Sequence, residues 1–179
     1  MNIQTPSLII RDVSDHDMSA ICDIYAHHVL YGFGSFEETP PNVEELSRRR
    51  DEIVSKGFPY RVAELDGKVM GYAYASAYRP RPAYRYTVEN SVYVSRDALR
   101  SGCGRRLLGE LMSRCSELGY RQMMAVIGDS GNAASIGLHE SMGFARAGVV
   151  KSVGFKLGRW VDGVIMQRAL GEGDTTLPV

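Results

Sequence analysis

The run Leu99-Arg100-Ser101-Gly102-Cys103-Gly104-Arg105-Arg106-Leu107-Leu108 constrains this chain more than any other stretch. It follows a strand-like segment, Asn90-Ser91-Val92-Tyr93-Val94, and opens a segment in which Leu107, Leu108, Leu111, Met112, Cys115 and Leu118 recur at helical spacing. That helix stops at Gly119, and Met123–Ile127 follows as a short apolar run, as expected of a parallel strand covered on both faces. Strand, helix and strand in this order predict a right-handed crossover unit with two parallel strands. The turn then lies at the carboxyl edge of the sheet, where such units hold ligands. A helix start presents unpaired backbone N–H groups and partial positive charge, and Arg100, Arg105 and Arg106 add full charges. The combination is an anion site suited to a diphosphate. Glycine at 102 and 104 matters because side chains there would hold phosphates off the amides. An ordinary strand–turn–helix with solvated arginines is the plain alternative from this stretch alone.

The rest of the chain surrounds that unit with further elements. Leu8–Arg11 reads as a first strand, and Ser14 or Asp15 caps a helix with Met18, Ile21, Cys22, Tyr25 and Val29 on its apolar face. A loop from Tyr31 to Pro41 carries Phe33 and Phe36. Asn42 with Glu45 resembles a capping box and starts a more polar helix to about Lys56. Tyr60–Glu64 and Val69–Ala77 are strands joined by Asp66-Gly67, a hairpin signal; Arg79–Tyr84 is a basic, proline-broken loop; Thr87–Val94 is the next strand. Asn132–Met142 is a last helix before Gly143-Phe144, with strands expected at 145–150 and 161–170. The order predicts one α/β (α+β) domain over residues 1–179, with its core at about 7–171, a loose tail at 172–179 and a mixed sheet.

Composition removes several classes of function. Lys and Arg together number 21, equal to Asp and Glu, so no global charge pulls the chain toward nucleic acid or an anionic membrane. Cys22, Cys103 and Cys115 are too widely spaced for a metal site, and no metal is expected. The N-terminus lacks a signal-peptide pattern and no apolar run is long enough to span a membrane, so a cytoplasmic protein is the expectation.

Taken in order, the motifs resemble the GNAT superfamily of acyl-CoA-dependent N-acetyltransferases. Arg100, Gly102 and Gly104 match its Gln/Arg-x-x-Gly-x-Gly/Ala turn, while Leu99 departs from the first position. The similarity is closer to the phosphinothricin and methionine sulfoximine acetyltransferase branch and runs from about Leu8 to Leu170. It includes Phe36-Glu37-Glu38-Thr39-Pro40, Thr87 to Val94, Ala125-Val126-Ile127-Gly128, Asn132 to Glu140 and Gly154 to Asp162. The resemblance implies a mostly antiparallel seven-stranded sheet flanked by helices, with a splayed parallel strand pair holding acetyl-CoA, and a homodimer.

It also implies roles. Aminolysis of a thioester needs a free amine, a polarised carbonyl and stabilisation of the departing thiolate; an α-amine is mostly protonated at neutral pH, so a base is required. Glu89 matches the family's general base, with a surface or salt-bridged carboxylate as the plain alternative. His139 takes the slot near the departing sulfur that often holds tyrosine, as acid, relay or positioning group. Val92, Tyr93 and Val94 lend backbone groups to the pantetheine arm. Arg100, Ser101, Gly102, Cys103, Gly104 and Arg105 hold the diphosphate. Asn132 and Ser135 reach the pantetheine or phosphates, although as bare helix caps they would need no ligand. Arg79 and Arg81 are candidates for clamping a substrate carboxylate. Phe36, Tyr84 and Tyr93 are candidate pocket walls, and Trp160 is expected in the core or at a dimer surface.

The leading expectation is therefore acetyl transfer to the α-amine of an L-amino acid or an analogue such as phosphinothricin or methionine sulfoximine. The same chemistry on an aminoglycoside, a polyamine or a protein N-terminus is the alternative enzyme reading, and polyamines or aminoglycosides would call for an acidic rim rather than Arg79, Arg81 and Arg85. A non-catalytic acyl-CoA-binding module is the third, and the presence of both Glu89 and His139 speaks against it.

Overall fold

Strand β1 (Leu8–Asp12) begins the portion described by the computed structural model, residues 8–178. A single helical turn follows, fixed by Asp17: the Ser14 N–H and hydroxyl donate to its carboxylate at 2.7 and 2.9 Å, and Arg11 donates to both its oxygens at 2.8 and 2.7 Å. These bonds outweigh burial and hold the Asp17 carboxyl down at about 2. Helix α1 (Met18–Tyr31) then buries Met18, Ile21, Tyr25 and Val29, four of the positions expected from the spacing, while Cys22 is half-buried. Helix α2 (Val43–Ser55) starts where Asn42 accepts from the Glu45 N–H at 2.9 Å. Only half of the expected capping box forms, because the Glu45 carboxylate turns to Arg48 and Arg49.

Strands β2 (Tyr60–Leu65) and β3 (Lys68–Ala77) are joined by Asp66 and Gly67 at φ 50° and 77°. Positive φ at both central residues matches the twist of the strands it connects. Strand β4 (Thr87–Val94), helix α3 (Cys103–Glu117) and strand β5 (Gln122–Gly128) form the crossover unit, followed by helix α4 (Ala133–Ser141), β6 (Ala145–Lys156) and β7 (Arg159–Ala169).

The sheet has seven strands in the order β1-β2-β3-β4-β5-β7-β6. Every neighbouring pair is antiparallel except β4–β5, which agrees with the expected mixed sheet. The parallel pairing covers only Thr87↔Gln122, Val88↔Met123 and Glu89↔Met124. Beyond it β4 stays with β3 as far as Val94 and β5 stays with β7 as far as Gly128, so the two strands part. Apolar clusters hold both faces. Leu107, Leu108 and Leu111 of α3 pack with Val88, Met123 and Met166, and on the other side Met18, Ile21 and Val29 of α1 pack with Val62 and Tyr72. Each of these large side chains is nearly or fully removed from water, worth about 1.5–3 kcal/mol apiece.

The structure departs from the sequence expectations at the C-terminal end. The β6–β7 hairpin is longer than 145–150 and 161–170, turning at Leu157 and Gly158 with φ 48° and 77°. A leucine in the left-handed region gives no residue-type signal of a turn, and β6 is exposed along most of its length, so no alternating burial marks it. The segment expected to hang loose after Gly171 is tied down by Arg121. Its guanidinium donates to Thr176 Oγ1 at 3.1 Å and to Leu177 O at 3.2 Å, and Gly173 N–H donates to Leu170 O at 2.9 Å.

Candidate active site

Where β4 and β5 separate, a cleft of about 1410 Å³ opens through the sheet. Its apex is tied by Asn90, whose Nδ2 donates to Met124 O at 2.9 Å just past the last paired residues. Ser91–Val94 form one wall and Ala125–Gly128 the other; the turn at 98–105 and the first turns of α4 close one end. The loop at 32–36 closes the other. A Cβ at Gly128 would fall 1.8 Å from Phe33 O, and one at Gly154 would fall 2.7 Å from the Phe36 ring, so this loop lies directly over β5 and β6.

At the turn, Arg100 has φ 61° and Gly102 φ 82°, a kink that brings the chain into α3 along the edge of the cleft. The first backbone bond of the helix is Arg106 N–H to Gly102 O at 3.0 Å, which leaves the N–H groups of Gly104 and Arg105 without an intrahelical acceptor. Space above Gly102 is open, and its left-handed backbone is what favours glycine there. These features fit a diphosphate. Ser101, expected at the diphosphate, does not line the cleft; its hydroxyl is spent on the backbone, donating to Ala98 O at 2.6 Å. Cys103 also lines the cleft, with its thiol buried and pushed up to about 11. Arg105 spans to α4, donating to Ser141 Oγ at 3.0 Å at the mouth of the cleft. Asn132 is occupied as a cap, accepting from Ser135 N–H at 3.2 Å and donating to Gly128 O at 3.4 Å.

Alternation along β4 divides the chemical groups between the sheet's two faces. Glu89, Ser91 and Tyr93 point toward α1, where the Tyr93 ring packs on Tyr25 at 5.1 Å and on Tyr72 at 5.3 Å. Asn90 points toward α4, where its Oδ1 lies 3.0 Å from His139 Nε2. Glu89 and His139 both line the cleft and meet it from opposite sides of β4. Burial pushes the Glu89 carboxyl above its ordinary value, and Arg79 pulls it partly back. Burial pushes the His139 imidazole down, against the Ser135 carbonyl 2.8 Å from its Nδ1.

Of the candidate substrate residues, Phe36 lines the cleft and Arg79, Arg81 and Tyr84 do not. Arg79 stands over the Tyr78 ring at 5.1 Å and Tyr84 meets Tyr78 edge-on at 5.7 Å, which forms an exposed basic shelf at the Glu89 side. Trp160 is 64% exposed, so the core option for it is removed. Three further residues organise the site. Asn90 joins both walls; His28 Nε2 donates to Val94 O at 2.9 Å; Lys156, 2% exposed, donates to Ser35 O at 2.6 Å and holds the 32–36 loop. An asparagine inside a strand is itself a signal, since that residue is depleted there. Lys156 and His28 carry none.

Comparison with known families matches residues 10–165 to the acetyltransferase (GNAT) domain. The chain is 57% identical over 169 residues to a phosphinothricin N-acetyltransferase of Alcaligenes faecalis, covering 94% of this chain and 86% of the relative. It is 40% identical over 162 residues to an L-methionine sulfoximine/L-methionine sulfone acetyltransferase of Pseudomonas paraeruginosa, covering 90% and 94%. A GNAT superfamily phosphinothricin acetyltransferase from Sinorhizobium meliloti, solved in complex with AcCoA, superposes with a TM-score of 0.93 at 47% identity, covering 96% of this chain and 93% of that one.

Proposed function

The chain belongs to the GNAT acetyltransferase family, and from that premise we propose that it transfers the acetyl group of acetyl-CoA to the α-amine of an L-amino acid or a close analogue such as phosphinothricin or methionine sulfoximine. One observation carries this reading. The β4–β5 split brings a half-buried carboxylate and a buried imidazole to one cleft, beside a turn whose free amides suit a diphosphate.

Acetyl-CoA supplies the activated thioester when bound. Gly102, Gly104 and Arg105 hold its phosphates through backbone N–H groups, with the Arg100 and Arg105 guanidiniums adding charge. Val92–Val94 offer the backbone edge that β5 leaves unpaired, so a pantetheine arm can lie there as an added strand. Glu89 accepts a proton from the ammonium group, a task its raised proton affinity suits near neutral pH. The amine nitrogen then bonds to the acetyl carbon as the carbon–sulfur bond breaks, the nitrogen releases its second proton to water, and His139 stands on the opposite side of β4 to protonate sulfur.

The basic shelf at Arg79 and Arg81 favours an amine that also bears an anionic group over a polyamine. Val153, Phe155, Leu157 and Trp160, each 55–64% exposed on the β6–β7 hairpin, form the apolar surface we assign to a homodimer contact. Three unpaired cysteines suit a reducing cytoplasm. Colorimetric titration of released thiol, with acetyl-CoA and a panel of amines, tests the function. Release that depends on L-amino acids or their analogues is expected; release only with polyamines or aminoglycosides, or no release at all, overturns it.

A further inference from the structure

Three polar contacts hold one histidine–asparagine pair at the apex of the split. His139 Nδ1 stands 2.8 Å from Ser135 O, and its Nε2 stands 3.0 Å from Asn90 Oδ1. Asn90 Nδ2 donates to Met124 O at 2.9 Å. Backbone carbonyls only accept, so Met124 fixes which end of the Asn90 amide is nitrogen, and Ser135 requires a hydrogen on Nδ1. The remaining contact joins Nε2 to an amide oxygen, which also only accepts.

A neutral imidazole carries one N–H. Every neutral arrangement therefore leaves two lone pairs opposed: at Nε2, at Nδ1, or, with the amide turned over, between Asn90 Oδ1 and Met124 O. The imidazolium satisfies all three contacts at once. Asn90 is 7% and His139 3% exposed, so solvent does not relieve the mismatch.

We propose that Asn90 is a positioning residue that keeps the second proton of His139 on Nε2, so that His139 enters the transfer step as a cation with that proton at the β4–β5 split. The role in transfer rests on the acetyltransferase reading above. As the amine nitrogen bonds to the acetyl carbon and the carbon–sulfur bond breaks, the sulfur's electron pair takes the Nε2 proton. The ammonium's first proton has gone to Glu89, and the second leaves the nitrogen for water as the amide forms. The imidazole left behind keeps its Nδ1 hydrogen, and its Nε2 lone pair now faces Asn90 Oδ1, a contact that favours reprotonation from water.

Burial opposes the cation, and among the described residues no charged side chain offsets it. Glu140 on α4 pairs with Arg146 at 2.9 Å, Arg105 on α3 reaches Ser141, and Arg168 on β7 packs at Gly143 beyond the helix end. Glu89 lies on the other face of β4, and Phe144 meets the imidazole edge-on at 5.0 Å. The two oxygen acceptors are what favour the charged form, and only one of them is a side chain.

Nitrogen-detected NMR titration of His139 in the protein free of acetyl-CoA tests this, with H139Q assigning the resonance. Burial pushes the parent imidazole down and its two oxygen acceptors push it up, so the parent should titrate above N90L and below N90D. N90L, which removes the acceptor, should lower the proton affinity of His139 roughly tenfold or more. N90D, which keeps an oxygen and adds negative charge, should raise it, and the alkaline limb of kcat should move in the same two directions. Equal His139 titration in parent and N90L, with only the melting temperature lowered, would show that Asn90 merely ties β4 to β5. If N90L does not fold, N90D decides alone: a raised value supports the proposal, and an unchanged or lowered one overturns it. The titration needs no substrate, so it is decided independently of whether the parent acetylates amino acids.

Discussion

Replacing Gly102 with alanine separates the anion cradle from the packing around it. Gly102 sits at φ 82° with open space above it. A non-glycine residue in that region costs about 1–2 kcal/mol, which for a chain of this size lowers the melting temperature by roughly 2–8 °C. That strain falls on the turn that presents the free Gly104 and Arg105 amides. Loss of one charge-assisted hydrogen bond to phosphate costs about 1.5–3 kcal/mol, so affinity for acetyl-CoA should fall by roughly 10- to 150-fold. Gly104→Ala is the control, because its Cβ would meet Leu138 Cδ2 at 3.3 Å and Val94 Cγ2 at 3.4 Å. It should act on the contact between α3 and α4 more than on the phosphates. Calorimetric titration with acetyl-CoA and thermal melts on both variants provide the comparison. If Gly102→Ala binds acetyl-CoA as tightly as the parent, the diphosphate does not lie on this turn.

Glu89→Gln should leave acetyl-CoA binding intact and lower kcat by roughly 10²–10⁴, with the loss shrinking at high pH where the amine is already deprotonated; a pH–rate profile checks it, and near-normal turnover would end the assignment. Arg79 lowers the proton affinity of Glu89, so Arg79→Ala should shift the acidic limb of kcat/KM to higher pH and raise the KM for the amino acid. Arg81→Ala should have the smaller effect, and steady-state kinetics on both substrates reads the difference. The Asp17 carboxyl is depressed from 3.8 to about 2 in the folded protein, so its stabilisation of about 2 kcal/mol is present above the unfolded value and lost as pH falls through the folded one. Asp17→Asn should therefore lower stability near neutral pH and flatten the acid-induced decline, as followed by melts across that range.

Helix periodicity and turn chemistry made much of the fold legible. The α3 stripe through Leu107, Leu111 and Cys115 is fully buried as its spacing implied, and Asp66-Gly67 forms the tight hairpin its residue types imply. The β6–β7 turn escaped because Leu157 adopts a conformation that leucine rarely signals. At the site, short-range pattern located the 98–105 turn and the partners of β4, but not the side of the strand each residue takes toward a neighbour distant in sequence. Asn90 and His139 are far apart in the chain, and their contact exists only because β4 and β5 stop pairing at Glu89 and Met124. Nothing in the local sequence marks Lys156 as buried; its burial depends on the 32–36 loop lying over it, a contact distant in the chain.

The central claim is acetyl transfer to an amine whose owner also carries a carboxylate that the Arg79 shelf holds. Mass spectrometry of the product, with kcat/KM measured on methionine sulfoximine and on its methyl ester, tests it most directly. The account expects acetyl on the α-nitrogen and a kcat/KM at least roughly tenfold lower for the ester, the loss of one charge-assisted contact. Acetyl on another atom, or equal efficiency for acid and ester, would contradict it.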